Sequence, residues 1–396
     1  MRDELKNYRT EVEQELNNVL QYWAQFAVDE SNSGFFGRID NHNEADLHAS
    51  KGSVLNSRIL WTFSAAAKNL AIADRAFDYI TAHFIDKQYG GVYWTVDAKG
   101  HPLETKKQVY ASAFALYGMS EYYRQRPADD VKEKMLSLYH SIVEKAHDQN
   151  NGGYWEAFAR DWSDISDQRL SSKDANARKS MNTNLHVLEA FANLYAVWPD
   201  AELRAYVKEL LHLFQTKIID SRTGHLHLFF DDKWNVEPDV ISFGHDIEAS
   251  WLLLEAATII NDKQLIDLFK AISLTLAESA SEGLDKDGGL WYEFDPEKNR
   301  LIRQKHWWPQ AEAMVGYFNA WQISGDEKYL SRSLNSWKFV TAHILDKENG
   351  EWFWGVDEWN RPMMNEDKVG LWKCPYHNAR ACLEIKNRIN ALIKQQ

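Results

Sequence analysis

Residues 285–294 read DKDGGLWYEF, and this pattern occurs six times along the chain. An acidic residue is followed, a few positions on, by glycine and then by aromatic or apolar side chains. The other copies are DESNSGFFGRID from Asp29, DKQYGGVYW from Asp86, DQNNGGYWEAF from Asp148, DSRTGHLHLFF from Asp220 and DKENGEWFWGV from Asp346. A period of roughly sixty residues marks one supersecondary unit used repeatedly. Six units that close into a ring enclose one cavity, so equivalent points of the units are where a site is to be sought.

Two helical patterns separate successive copies. The first copy is followed by VLNSRILWTFSAAAKNLA and then RAFDYITAHFI. The fourth is followed by HDIEASWLLLEAATII, a break at Asn261-Asp262, and QLIDLFKAISLTLAESA. The fifth is followed by QAEAMVGYFNAWQIS, a break at Gly325-Asp326, and KYLSRSLNSWKFVTAHIL. Apolar residues recur at three- and four-residue spacing, as on buried amphipathic helices. The first helix of each pair is poor in charge and rich in alanine and aromatics, which suits an inner ring. The second carries more Lys, Glu and Asp, which suits an outer ring. The expectation is an all-α (α/α)6 barrel of about twelve helices, one domain over 1–396. Its glycine segments form short β-hairpins at one rim.

Composition narrows the partners. The net charge is −13 with both signs interspersed, which argues against nucleic acid. No apolar run is long enough to span a bilayer, and the start MRDELKNYRT lacks an apolar core, so a soluble, cytoplasmic protein is expected. Cys374 and Cys382 are read as sharing one helix, about 12 Å apart at 1.5 Å per residue, too far for a disulfide. Seventeen tryptophans is an excess. Most are read as core filling for a wide ring, and some as flat rings lining a pocket for a ligand with CH and OH faces, which means a sugar.

The start of each inner helix should face the mouth of the cavity. Those six starts supply Arg58, Tyr110, Asn182 with His186, His245 with Glu248, Trp307 with Trp308, and Trp372 with His377. One histidine at a helix start reads as a cap, whereas three at equivalent places of a ring read as a site. Arg58 lies in an apolar helix and needs either a structural acid or a ligand oxygen. Glu248 reads equally as a partner within the shell or as a ligand contact. The positive end of a helix dipole disfavours protonated histidine, and a neutral imidazole can act as a base. Pro375 supports a helix opening just before His377. The polar stretch from Ala157 to Lys179, which ends near Asp174 and Arg178, reads as a solvent-facing loop or as a binding loop. His225 and His227 alternate on one strand face but lack a third ligand at a diagnostic spacing, so no metal is expected.

Five stretches resemble the N-acylglucosamine 2-epimerase superfamily, most closely its cellobiose 2-epimerase branch. They are KGSVLNSRILWTFS, KSMNTNLHVLEA, SFGHDIEASWLL, HWWPQAEAMVGYFNAWQISGDEKYL and LWKCPYHNARACLEI, in order over nearly the whole chain. The resemblance implies an (α/α)6 barrel that epimerises C2 of a reducing-end sugar without metal or nucleotide. It implies His245 and His377 as the acid/base pair, with His186 beside the reacting oxygens and Arg58 holding the oxygens of the open chain. Tyr110, Asn182, Asp174 and Glu248 match polar substrate contacts, while Trp308 and Trp372 match rings packed on the sugar. The expected partner is a disaccharide or monosaccharide substrate. A mannose 2-epimerase or aldose–ketose isomerase of the same superfamily is the alternative. A glycoside hydrolase would need two carboxylates, for which Glu248, Glu312 and Asp246 are available, but the convergent set is rich in histidine. A non-catalytic sugar-binding protein would bind through the tryptophans alone.

Overall fold

Helices that are apolar on most sides must be surrounded, and the six charge-poor helices form the inner ring of a barrel. The computed structural model describes residues 2–394 apart from Asp239. The inner ring is α2 (Ser53–Ala66), α4 (Val109–Gln125), α6 (Met181–Val197), α8 (Phe243–Ile259), α10 (Trp307–Ser324) and α12 (Tyr376–Lys394). Each packs on the next, and α12 packs back on α2, so the ring closes. Outside it lie α1 (Arg2–Phe26), α3 (Leu70–Tyr79), α5 (Asp129–Ala146), α7 (Ala201–Leu213), α9 (Lys263–Ala280) and α11 (Glu327–Phe339). The all-α, twelve-helix (α/α)6 architecture with rim hairpins is therefore the fold.

The sixth pair joins distant parts of the chain, because α1 is the outer partner of α12. Trp23 Nε1 donates to Glu351 (2.9 Å) and Trp352 Nε1 to Glu15 (2.8 Å), so each buried indole finds the acceptor it needs. Helix ends fall where the sequence predicts them around Asn261-Asp262 and Gly325-Asp326. Asp262 and Asp326 accept from the backbone N–H groups of Leu265 and Lys328 as caps. The first unit differs. Its inner helix stops at Ala66, inside the expected pattern, because Ala67 and Asn69 turn left-handed (φ 49° and 51°) with no glycine or proline to announce the stop. Cys374 also differs from expectation: α12 begins at Tyr376, after Pro375, so the two cysteines do not share a helix, and both are buried and free. Three outer helices end in π-helical turns at Ile80–Phe84, Phe214–Ile218 and Val340–Ile344.

The six glycine segments are six hairpins, closed by the bridges Val28–Phe35, Ile85–Val92, His147–Tyr154, Ile219–Leu226, Leu284–Leu290 and Leu345–Trp352. The short strand before each inner helix pairs with the next unit's hairpin, as Lys107 does with Phe158 and Lys179 with Phe230. The bridge between Ile39 and Val369 completes the circle. Close approach explains the glycines: Gly153 has φ +72°, and a Cβ there would lie 2.4 Å from the Trp234 ring.

A second feature repeats around the ring. A buried lysine at that short strand reaches back to the acidic residue opening its own hairpin. The pairs are Lys51–Asp29 (2.8 Å), Lys107–Asp86 (2.9 Å), Lys179–Asp148 (2.7 Å), Lys305–Asp285 (2.8 Å) and Lys368–Asp346 (2.6 Å). Each ties the start of an inner helix to the hairpin before it. The fourth unit has Ile241 at this place, and Asp220 pairs with the exposed Arg222 (3.3 Å). Among the described residues no helix is long and apolar enough to cross a membrane.

Candidate active site

The inner-helix starts converge on one rim, where a cavity of about 790 Å³ opens. All ten expected site residues line it: Arg58, Tyr110, Asp174, Asn182, His186, His245, Glu248, Trp308, Trp372 and His377. Repeat geometry explains the convergence. Arg58, His186, Glu248 and Glu312 each stand seven residues after the first residue of the short strand, namely Lys51, Lys179, Ile241 and Lys305. This places each of them five residues past the first residue of its helix, about one and a half turns in, facing the axis.

Each histidine is held through Nδ1. His377 Nδ1 meets Glu312 Oε1 at 2.7 Å, His186 Nδ1 meets Glu189 Oε2 at 2.9 Å, and His245 Nδ1 meets Ser242 Oγ at 2.8 Å. A carboxylate can only accept, so on His377 and His186 the proton sits on Nδ1 and Nε2 keeps its lone pair. Burial pushes the His245 imidazole down to about 3, helped by His186. Burial also holds His377 well below its ordinary value, with Arg58 and Arg380 adding to the effect, and it lowers His186. All three are therefore neutral, chiefly through desolvation rather than through the helix dipole that their place in the sequence suggests. His186 lies beyond the first turn of α6, where that dipole argument does not reach.

Arg58 is 3% exposed, and among the described residues no carboxylate pairs with it. Its Nη2 donates to Tyr110 Oη (2.7 Å), and its guanidinium lies over the rings of Phe114 (4.1 Å) and Tyr376 (4.9 Å). Of the two options left by the sequence, a structural acid is ruled out. What remains is a buried cation available to a ligand oxygen. Asn182 Oδ1 is also buried and meets no hydrogen-bond donor among the described residues.

Trp308 lies between two histidines, 4.8 Å from His245 and 5.7 Å from His377 by ring centroids. Trp307 turns instead to Trp354 (4.5 Å) and to the Lys373 ammonium (5.4 Å). Trp372 flanks Tyr110 on the opposite wall (6.0 Å). The Ala157–Lys179 stretch does not simply face solvent: Leu170 to Ala175 form part of the cavity wall. Asp174 there accepts from the Ser171 N–H (2.8 Å), and burial raises its carboxyl above the ordinary value. Arg178 points elsewhere, to Asp164 (3.5 Å) and over Trp155 (4.8 Å).

Sequence reasoning missed the groups behind the histidines. Glu189, Glu312, Tyr376 and Arg380 form a buried network below them. In the sequence Glu312 reads only as an acid that a hydrolase could use. It is committed to His377 and to Trp251 Nε1 (3.0 Å). Asp246 points away from the cavity and accepts from the Leu226 N–H (2.9 Å) and holds His225 (2.7 Å). Of the three acids that a hydrolase could use, Glu312 and Asp246 are thus engaged elsewhere, and only Glu248 is left at the cavity, one carboxylate short of a hydrolytic pair. The seven-residue offset that marks Arg58, His186 and Glu248 also marks Glu312 and could have revealed it. Donor atoms of Glu248, Glu312 and His377 lie within 4.8 Å of one another, but the Arg380 guanidinium already occupies the carboxylates. His225 is bonded to Asp246 and lies 3.4 Å from Glu282, so it is an ion-pair residue.

Neutral imidazoles beside an unpaired guanidinium suit proton transfer next to a developing oxyanion, so fold and site together define an acid–base enzyme of the (α/α)6-barrel class. The chain belongs to the N-acylglucosamine 2-epimerase family, whose model matches residues 34–381. It is 44% identical over 384 residues to a cellobiose 2-epimerase of Bacteroides fragilis, covering 95% of this chain and 98% of that one. Among solved structures, a cellobiose 2-epimerase from Bacillus thermoamylovorans B4167 superposes with a TM-score of 0.91 at 36% identity, covering 98% of this chain and 100% of the other. A sugar epimerase from a ruminal bacterium gives 0.92 at 36% identity, covering 96% and 98%.

Proposed function

We propose that the protein is an isomerase that epimerises C2 of the reducing-end glucose of β-1,4-linked disaccharides, turning cellobiose into glucosylmannose and lactose into epilactose. The observation that carries this reading is the buried Arg58, without a carboxylate partner, beside three neutral histidines. The relatives named above support the substrate class. The cavity of about 790 Å³ is roomy enough for two sugar rings, being within the size range of drug-sized ligand sites. The two free, buried cysteines suit a reducing, cytoplasmic setting.

The C2 proton of a closed pyranose is not acidic. Ring opening exposes an aldehyde at C1 and leaves C2–H alpha to a carbonyl. His377 moves the proton between O1 and O5 that opens the ring. His245 and His377, on two sides of Trp308, exchange roles as base and acid in the two directions. Removal of the C2 proton leaves a cis-enediolate, whose oxygens Arg58 and His186 stabilise. Return of a proton to the other face of C2 gives the epimer. Return to C1 would give a ketose, so slow aldose–ketose isomerisation accompanies the main reaction. Tyr110, Asn182, Asp174 and Glu248 hold the sugar hydroxyls, while Trp308 and Trp372 pack on its CH faces. Only protons move, so the chemistry calls for no redox cofactor.

Proton NMR of the protein with cellobiose in D2O, with EDTA present, tests the reading. Glucosylmannose with one deuterium at C2 is expected. Free glucose would instead indicate hydrolysis, and turnover of mannose alone would move the substrate to the monosaccharide branch. Replacing His377 by Asn should cost about 10²–10⁴-fold in C2–H exchange, and exchange at the wild-type rate would remove it from this role.

A further inference from the structure

Below the cavity three carboxyl groups share one guanidinium. Arg380 donates through Nη1 to Glu189, and through Nη2 to Glu312 (2.7 Å) and Glu248 (2.8 Å). All four side chains are between 1% and 3% exposed. One cation faces three buried acids, so ionising all three is costly and a proton kept on one of them lowers that cost.

The hydrogen bonds identify which one. Glu189 accepts from His186 Nδ1 (2.9 Å), Tyr376 Oη (2.5 Å) and Arg380. Glu312 accepts from His377 Nδ1 (2.7 Å), Trp251 Nε1 (3.0 Å) and Arg380. Oxygens ringed by donors are carboxylate oxygens. Glu248 has only Arg380, on Oε1, while His377 Nδ1 lies beyond hydrogen-bond reach at 3.9 Å. Among the described residues its Oε2 meets no donor, and the side chain lines the cavity.

We propose that Glu248 works as a carboxylic acid, its Oε2 hydroxyl donating a hydrogen bond to the sugar oxygen that turns negative in the enediolate. The proposal rests on the epimerase reading and adds the charge state of one group to it. A neutral donor stabilises an oxyanion that an ionised Glu248 would repel, so Arg58 and Glu248 serve the intermediate together. Burial and the Glu312 carboxylate push the Glu248 carboxyl up to about 8. The charged and titratable groups around it are Glu312 from α10, Arg380, His377 and Tyr376 from α12, Glu189 and His186 from α6, Tyr110 from α4, Arg58 from α2, and His245 on its own helix.

Infrared difference spectroscopy of the whole protein, wild type against Glu248→Gln, tests the proton without turnover. At neutral pH the wild type should show the C=O stretch of a protonated carboxyl that titrates away above about pH 8 and is missing from the variant. A wild type without that band overturns the proposal, whether or not sugar is epimerised. Kinetics supply the second arm. Glutamine keeps a donor in place, so Glu248→Gln should lose about tenfold in C2–H exchange and lose the wild-type fall at alkaline pH, while Glu248→Ala should lose about 10²–10³-fold. A folded glutamine variant as inactive as alanine overturns the proposal. Absence of C2–H exchange in the wild type would count against the epimerase reading alone, and the infrared band would still decide the proton.

Discussion

The fourth unit and the other five fasten their inner helices in opposite ways. In five units a buried lysine at the strand before the helix reaches an aspartate of the hairpin. In the fourth the helix supplies the acid, Asp246, and the hairpin supplies the base, His225, which stands where four other units have glycine (Gly34, Gly91, Gly153 and Gly289). That unit carries His245, one residue before Asp246. The reversal removes the lysine from the strand behind the His245 turn and leaves Ile241 there, so no fixed positive charge is held at that strand beside a histidine that must stay neutral.

The two kinds of fastening should differ most when one partner is removed. Lys179→Ile would leave Asp148 buried without its cation, at a cost of about 3–5 kcal/mol in denaturant unfolding. The double variant Lys179→Ile with Asp148→Asn should recover most of that loss, and no recovery would show that the pair does not act as a unit.

A smaller cost, about 1–3 kcal/mol, is expected for Asp246→Asn, which keeps an acceptor for Leu226 but weakens the hold on His225. The pH dependence should separate the two variants. Burial works against the Asp148 carboxylate, but Lys179 and the amides of Asn150 and Asn151 outweigh it and hold it below 3.8. Its contribution is therefore present above that value and is lost as the pH falls through the depressed one. Burial works against His225⁺ too, yet Asp246 and Glu282 raise it above 6.5. That contribution is complete below 6.5 and is lost as the pH rises through the raised value. The gap between wild type and Lys179→Ile should close in acid, and the gap for Asp246→Asn should close in alkali. Parallel profiles would contradict the comparison. The smallest effect, within about 1 kcal/mol, is expected of Ile241→Lys, which offers Asp220 the missing cation next to the solvent-exposed Arg222.

The ring and its site were legible because the repeat makes six helix starts equivalent. Reading those starts for chemistry gathered Arg58, His186, His245 and His377 before any contact was known. The partners were harder. Glu312 and Arg380 lie on helices remote in sequence from the groups they hold, and a pairing across a barrel leaves no local spacing. The buried lysines escaped because the repeat was anchored on Asp and Gly, and the lysine follows some twenty to thirty residues later. The neutrality of the histidines was anticipated for a partial reason, since the amount of water excluded from a site depends on side chains contributed by all six units.

The pairing of α1 with α12 also sets the timing of the molecule's birth. The roughly 350 residues between the two helices take about 20–70 seconds to translate at 5–20 residues per second. Through that interval α1 is made but lacks its partner, with Trp23 and Leu16 facing water or a chaperone. His377 sits in the helix that ends the wait, so the site is completed in the same step that closes the barrel.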